Sequence, residues 1–235
     1  MYSLPKILIA APQSDAKNYC FLDWVLNISS FSYPKDRIEI FLADNSESIT
    51  NIQLLDRLGI SSVYIPKNGR GIVETMAECH QACVDYAVEN DFDYMLHLET
   101  DVFPKHDIIE NLMTMDKPIA CGLYQILDGA YREPMIRIRE KDNQGYVAAY
   151  GILNNHGGYI TGKPLKVFSA GLGCALISRE TLHSIKFRSE KRSEQHPDTW
   201  FANDMWNKDI PIYVHTGAIC RHENKSWGTF NINYK

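Results

Sequence analysis

Two carboxylates stand one residue apart in Leu98-Glu99-Thr100-Asp101-Val102. They follow an apolar run that reads as a strand, so both leave the strand end together and can reach one cation. Hard cations such as Mg2+ and Mn2+ take oxygen ligands and keep positions open for phosphate oxygens. The competing reading is an acidic strand-end loop that caps the next helix. A second stretch, Ser169-Ala170-Gly171-Leu172-Gly173, puts glycines in an apolar strand, where they weaken the strand and mark a bulge or a close approach. Polar residues follow other apolar runs as well: Asp44, then Lys67 and Arg70, and farther along Asp204 and His222.

These residues need elements that hold them in place. Lys6–Ala11 is a continuous apolar run ending at Pro12, the pattern of a strand buried on both faces. Further strands are expected over 37–43, 61–65, 93–98 and 118–124. Helices are expected between them, over 17–28, 50–58, 72–88 and 106–115. Alternating strands and helices predict an α/β fold, a mixed and mostly parallel central sheet flanked by helices. Ligands of such sheets bind beyond the carboxyl ends of the strands, where Asp44, Lys67, Arg70, Glu99 and Asp101 fall. The stretch 125–166 is irregular in pattern. Regular structure returns as a strand over 167–177, a helix over 179–185, a helix over 200–207 and a last strand over 212–220.

Composition bounds the function. The chain has 235 residues, 24 basic and 29 acidic, for a net charge of −5. A protein that coats nucleic-acid phosphates would carry a basic surplus. Its apolar runs fall short of the roughly 20 residues of a membrane span. The amino terminus shows no signal-peptide pattern, so a cytoplasmic location is expected. The six cysteines (Cys20, Cys79, Cys83, Cys121, Cys174, Cys220) have no zinc-knuckle spacing and read as reduced, buried thiols. Gly-x-Gly-x-x-Gly after the first strand and the Walker pattern are both missing, which removes dinucleotide and P-loop readings. His80 and His97 read as buried, satisfied core histidines.

The order of these motifs resembles the GT-A glycosyltransferases, and family 2 in particular, over about residues 5–225. Glu99-x-Asp101 stands where that family carries its Asp-x-Asp metal motif, here with Glu first. The resemblance implies one domain over 1–235, with 1–124 as the nucleotide-sugar half and 125–235 as the acceptor half. It implies Mn2+ or Mg2+ as cofactor, held by Asp101, Glu99 and His222. It places Pro12, Asp44, Lys67, Arg70, Glu99, Gly171, Gly173 and Lys225 against a nucleoside-diphosphate sugar. In the family an acidic pair opens a helix and supplies the base. Asn203-Asp204 is matched to that pair, so Asp204 is expected to be the base of an inverting transfer, with retention left open. The turn Lys208-Asp209-Ile210-Pro211 lacks the usual glycine. The acceptor stays open between a glycan, a protein side chain and a modified nucleobase. Two alternatives stand beside the transferase: a silent nucleotide- or glycan-binding module on the same fold, and a nucleotidyltransferase.

Overall fold

The computed structural model describes residues 4–128, 131–141, 147–151, 161–190 and 195–223. The first half alternates as the hydrophobic pattern requires. Strand β1 (Ile7–Gln13) leads to helix α1 (Asn18–Ser29), β2 (Ile38–Asp44) to α2 (Ile49–Arg57), and β3 (Ser61–Tyr64) to α3 (Ile72–Glu89). Then come β4 (Tyr94–Leu98), the short β5 (Val102–Phe103), α4 (Ile108–Met113) and β6 (Ile119–Leu123). The second half is built from β7 (Gln125–Asp128), β8 (Tyr131–Pro134), β9 (Ile136–Lys141), β10 (Val147–Gly151), β11 (Pro164–Val167), β12 (Ser169–Ala170) and β13 (Cys174–Ser178). It closes with α5 (Arg179–Leu182), α6 (Pro197–Asn207), β14 (Ile212–Ile219) and β15 (Arg221–His222).

Eight strands form the central sheet in the order β11-β14-β6-β13-β4-β1-β2-β3. β1 pairs in parallel with β2 and β4, β2 with β3, and β14 with β6. β13 runs antiparallel between β4 and β6, and β11 antiparallel along β14. The sheet is therefore mixed and mostly parallel, as expected.

Alternate residues of β1 enter the two cores. Leu8 and Ala10 pack with Cys83, Val84 and Ala87 of α3 and Phe201 of α6. Ile7, Ile9 and Ala11 pack with Phe21 and Trp24 of α1 and Ile108 and Leu112 of α4. A strand buried on both faces has no polar side to show, which is why 7–11 reads as an unbroken apolar run. All six cysteines are buried and free. Among the described residues, no helix is long and apolar enough to cross a membrane.

Two expectations change. The irregular stretch after residue 124 contains strands. β7 and β8 form a hairpin, and β9 pairs with β10 and β12 in a small separate sheet. The expected single strand over 167–177 is broken at Gly171–Gly173, so that β12 joins the small sheet and β13 the large one.

Leu42 of β2 is fully buried in the second core. Leu42→Ala should destabilise the protein by about 2–5 kcal/mol. Urea denaturation should show this as a lower midpoint with an unchanged slope.

Candidate active site

The acidic loop begins where β4 ends. The Glu99 N–H donates to the Gly173 carbonyl at 3.0 Å, and the Val102 N–H closes a turn onto the Glu99 carbonyl at 2.9 Å. The Thr100 hydroxyl donates to Gln13 Oε1 at 2.6 Å, and the Gln13 amide reaches Asn18 Oδ1 at 3.1 Å. These bonds tie the loop to the end of β1 and the start of α1. The end of the described chain returns to the same place. β15 pairs antiparallel with β5, setting His222 beside Val102, and the Glu223 N–H donates to the Asp101 carbonyl at 2.8 Å.

Charge then accumulates at one point. Asp101 is 1% exposed. Lys17 Nζ lies 3.0 Å from Asp101 Oδ1 and 3.4 Å from Glu99 Oε2. His222 Nε2 lies 3.8 Å from Asp101 Oδ2. Burial alone would push the Asp101 carboxyl up, but the Lys17 ammonium and the His222 imidazole outweigh it and hold it below the ordinary carboxylate value. Burial likewise opposes the charge on Lys17, and the two carboxylates more than reverse this. Lys17 was missed in the sequence, where a lysine opening a helix looks like any solvated surface residue.

The donor set fits a divalent cation in part. The Gln125 carbonyl can only accept, so His222 Nδ1, 3.0 Å away, carries the hydrogen. In the neutral ring Nε2 then presents a lone pair toward Asp101, the orientation that a metal-ligating histidine takes from an outer hydrogen bond. Among the described residues, no group of at least three His, Cys, Asp or Glu side chains could hold a cation alone. Asp101 and His222 would supply two positions, leaving the rest to phosphate oxygens and water, a common arrangement for Mg2+.

Beside this point a cleft of about 240 Å3 opens at the carboxyl ends of β1 and β2. Pro12, Lys17, Lys67 and Glu99 line it, with Ile72 and Met76 from α3. Lys67 also pairs with Glu47 at 3.0 Å. Two residues expected here lie elsewhere. Asp44 is fully buried and accepts from the Ser46 hydroxyl at 2.7 Å and the Asn51 amide at 2.6 Å, while Asn45 takes its place on the cleft wall. Burial raises the Asp44 carboxyl. Arg70 turns away, donating to the Pro66 carbonyl and pairing with Glu78. Lys225 lies outside the described residues.

A second cleft, of about 190 Å3, lies between α6 and the small sheet. Gly171 lines it, and the carboxylate on its α6 side is Asp198. Burial raises the Asp198 carboxyl above the ordinary value, and the negative charge of Glu99 raises it further. Asp204 is not brought to either cleft. Arg188 grips it with two hydrogen bonds of 3.0 Å. The physical reason is the start of the helix. α6 begins at Pro197, not at Trp200, so the acid in its first turn is Asp198. Proline at the first helical position followed by an acid is a start signal that the sequence carried. Asp204 lies well around the helix and faces another way. Asp209 has φ +56°, so it adopts the left-handed turn where a glycine was expected.

Tyr124 joins the parts and was also missed. Its hydroxyl accepts the Gly173 N–H at 3.2 Å, and its ring meets His222 edge-on at a centroid distance of 5.1 Å. A Cβ on Gly171 would overlap the Tyr124 hydroxyl, and one on Gly173 would lie 2.7 Å from Tyr124 Cζ. The glycines thus admit a tyrosine ring. Behind them His80 Nδ1 and His97 Nε2 are 2.9 Å apart, and His97 Nδ1 donates to the Leu172 carbonyl at 2.6 Å. Both histidines are buried and satisfied, as expected.

Gly171→Ala should cost about 1–3 kcal/mol through overpacking, and Tyr124→Phe should recover part of that loss in a double-mutant cycle of urea melts. For Asp198, a carboxyl raised by folding contributes stability below its unfolded pKa and loses it as pH rises through the folded value. Asp198→Asn should therefore melt higher than the native protein at pH 7, with the gap closing by about pH 4. Thermal melts at both pH values check this.

No family model and no curated protein matches the chain. Solved structures do. A crystal structure of GalNAc-T7 with UDP, GalNAc and Mn2+ superposes on 93% of this chain with a TM-score of 0.66 at 10% identity. This chain spans 44% of the length of that one. A197 from STIV aligns over 94% of this chain and 87% of its own, at 15% identity and a TM-score of 0.49. The strand order, the flanking helices and the GalNAc-T7 superposition together give the chain a GT-A-like glycosyltransferase fold.

Proposed function

We propose that this protein transfers a sugar from a nucleoside-diphosphate donor to an acceptor hydroxyl, with a divalent cation. One observation carries the reading. A buried carboxylate and a correctly turned imidazole, Asp101 and His222, meet at the carboxyl edge of the sheet, with Lys17 bridging Asp101 and Glu99 beside them. The GalNAc-T7 structure of the same fold contains UDP, a sugar and Mn2+, which supports the donor class and the cation.

Asp101 and His222 would hold the cation, with Glu99 beside them. Bound there, it would neutralise the departing diphosphate. The imidazole nitrogen among oxygen ligands favours Mn2+ over Mg2+. Pro12 and Lys67 line the cleft assigned to the nucleotide, and Lys17 and Lys67 offer positive charge to its phosphates. Asp198 takes the role first given to Asp204. Its raised carboxyl is a stronger base than an ordinary aspartate and accepts the proton of the attacking hydroxyl. Direct attack opposite the diphosphate inverts the anomeric centre, which the NMR coupling of the product reads.

UDP and Mn2+ together should raise the melting temperature more than either alone. Asp101→Ala should lose the metal-dependent part of that shift. Asp198→Asn should keep the shift and lower turnover about 10²–10⁴-fold. Asp204→Asn should keep turnover and lose only the modest stability of a part-exposed ion pair. Full metal-dependent activity in the Asp101→Ala protein would sink the proposed metal site. Nucleotide binding without turnover of any donor in a panel of nucleotide sugars would make this a binding module.

A further inference from the structure

The cleft beside Asp198 carries opposite charge on its two sides. The acid lies on α6. Arg137 and Arg139 line the other side. They are alternate residues of β9, so they project from one face of the strand. The Arg139 guanidinium lies over the Phe168 ring at 4.7 Å and the Trp206 ring at 5.3 Å. Aromatic faces hold it in place and leave its edge donors free for another group. Among the described residues, neither arginine forms an ion pair with an acidic side chain. Arg70, Arg179, Arg188 and Arg221 all do.

In a chain with a net charge of −5, two guanidiniums without a carboxylate partner among the described residues line one concave wall. Their forked donors match a carboxylate or a phosphate. The nucleotide cleft is an inadequate explanation for them, because the two clefts share no lining residue.

We propose that this cleft binds the acceptor through an anionic group, a carboxylate or a phosphate, held by Arg137 and Arg139. The proposal rests on the transferase reading in one respect, the assignment of the acceptor hydroxyl to Asp198. The charges of Asp198 and Glu99 repel an anion from their end and admit a neutral hydroxyl there. The acceptor is thereby fixed in one direction, anion toward β9 and hydroxyl toward α6. Neutral glycans lack the group that the arginines require.

The test uses the full chain with UDP and Mn2+ present and titrates in methyl glucoside, methyl glucuronide and glucose 6-phosphate. Ligand-observed NMR gives the affinities. At least one anionic sugar should bind about tenfold or more tightly than the neutral one. The stronger of the two anions identifies carboxylate or phosphate. Arg137→Gln, and the double variant with Arg139→Gln, should remove the preference and leave UDP binding intact. Because Arg137 is exposed, its single variant keeps the test valid if the double variant misfolds. Equal affinities, or no binding of either anion, overturn the proposal. Loss of UDP binding in Arg137→Gln also overturns it, because the arginine then serves the donor. If the native protein binds no nucleoside diphosphate, the transferase reading fails. The anion preference, measured without UDP, still decides the charge chemistry of the cleft.

Discussion

Burying the Asp101 carboxylate demands opposite charge close by; Lys17 supplies it at 3.0 Å, and the His222 imidazole comes to 3.8 Å from a distant part of the chain. A carboxylate removed from water without such partners would take up a proton or destabilise the fold. That requirement links distant segments. Lys17 comes from the turn after β1, Asp101 from the loop after β4, and His222 from the strand after β14. The short β5–β15 pairing and the Glu223–Asp101 backbone bond lock the last segment into register. The site therefore forms only when the first-half sheet and the end of the chain have both docked.

Tyr124 joins the His222 side of the site to the glycines before β13. It stands at the end of β6, with its hydroxyl on the Gly173 N–H and its ring edge-on to His222. Gly171 and Gly173 have no side chain because the ring occupies that space. The Gly173 carbonyl in turn accepts from the Glu99 N–H, so the position of the tyrosine reaches the acidic loop through one residue. The buried His80–His97 pair braces the intervening Leu172 carbonyl from below. Close packing of this kind gives a polar site a fixed geometry without making the site itself rigid by charge alone.

Much of this was legible in advance. The β1 run 6–11, the α3 periodicity and the Glu99-x-Asp101 strand end each depend on residues near one another in sequence, and all appear where expected. The resemblance to a GT-A enzyme, carried by the order of such segments, agrees with the fold. Asp204 was expected at the site and instead pairs with Arg188, away from both clefts. The helix expected over 200–207 starts at Pro197, with Asp198 in its first turn. The acid that lines the second cleft from that first turn is Asp198. Arg70 and Asp44 are likewise not on the cleft wall. Their positions after strands were right, but side-chain direction depends on neighbours such as Glu78, Ser46 and Asn51.

The sequence by itself determined the α/β alternation, the buried first strand, the acidic strand end and the placement of glycines before β13. Those are consequences of hydrophobic period, turn chemistry and the absence of a side chain, all of which act within a few residues. Tertiary structure alone decided that Lys17 neutralises the acidic pair, that Tyr124 fills the glycine gap, that Asp198 lies in a cleft, and that Arg137 and Arg139 share that cleft. Each of these is an interaction between side chains far apart in the chain. Packing acts over a few ångströms of space and charge over about ten, and sequence distance does not measure that space.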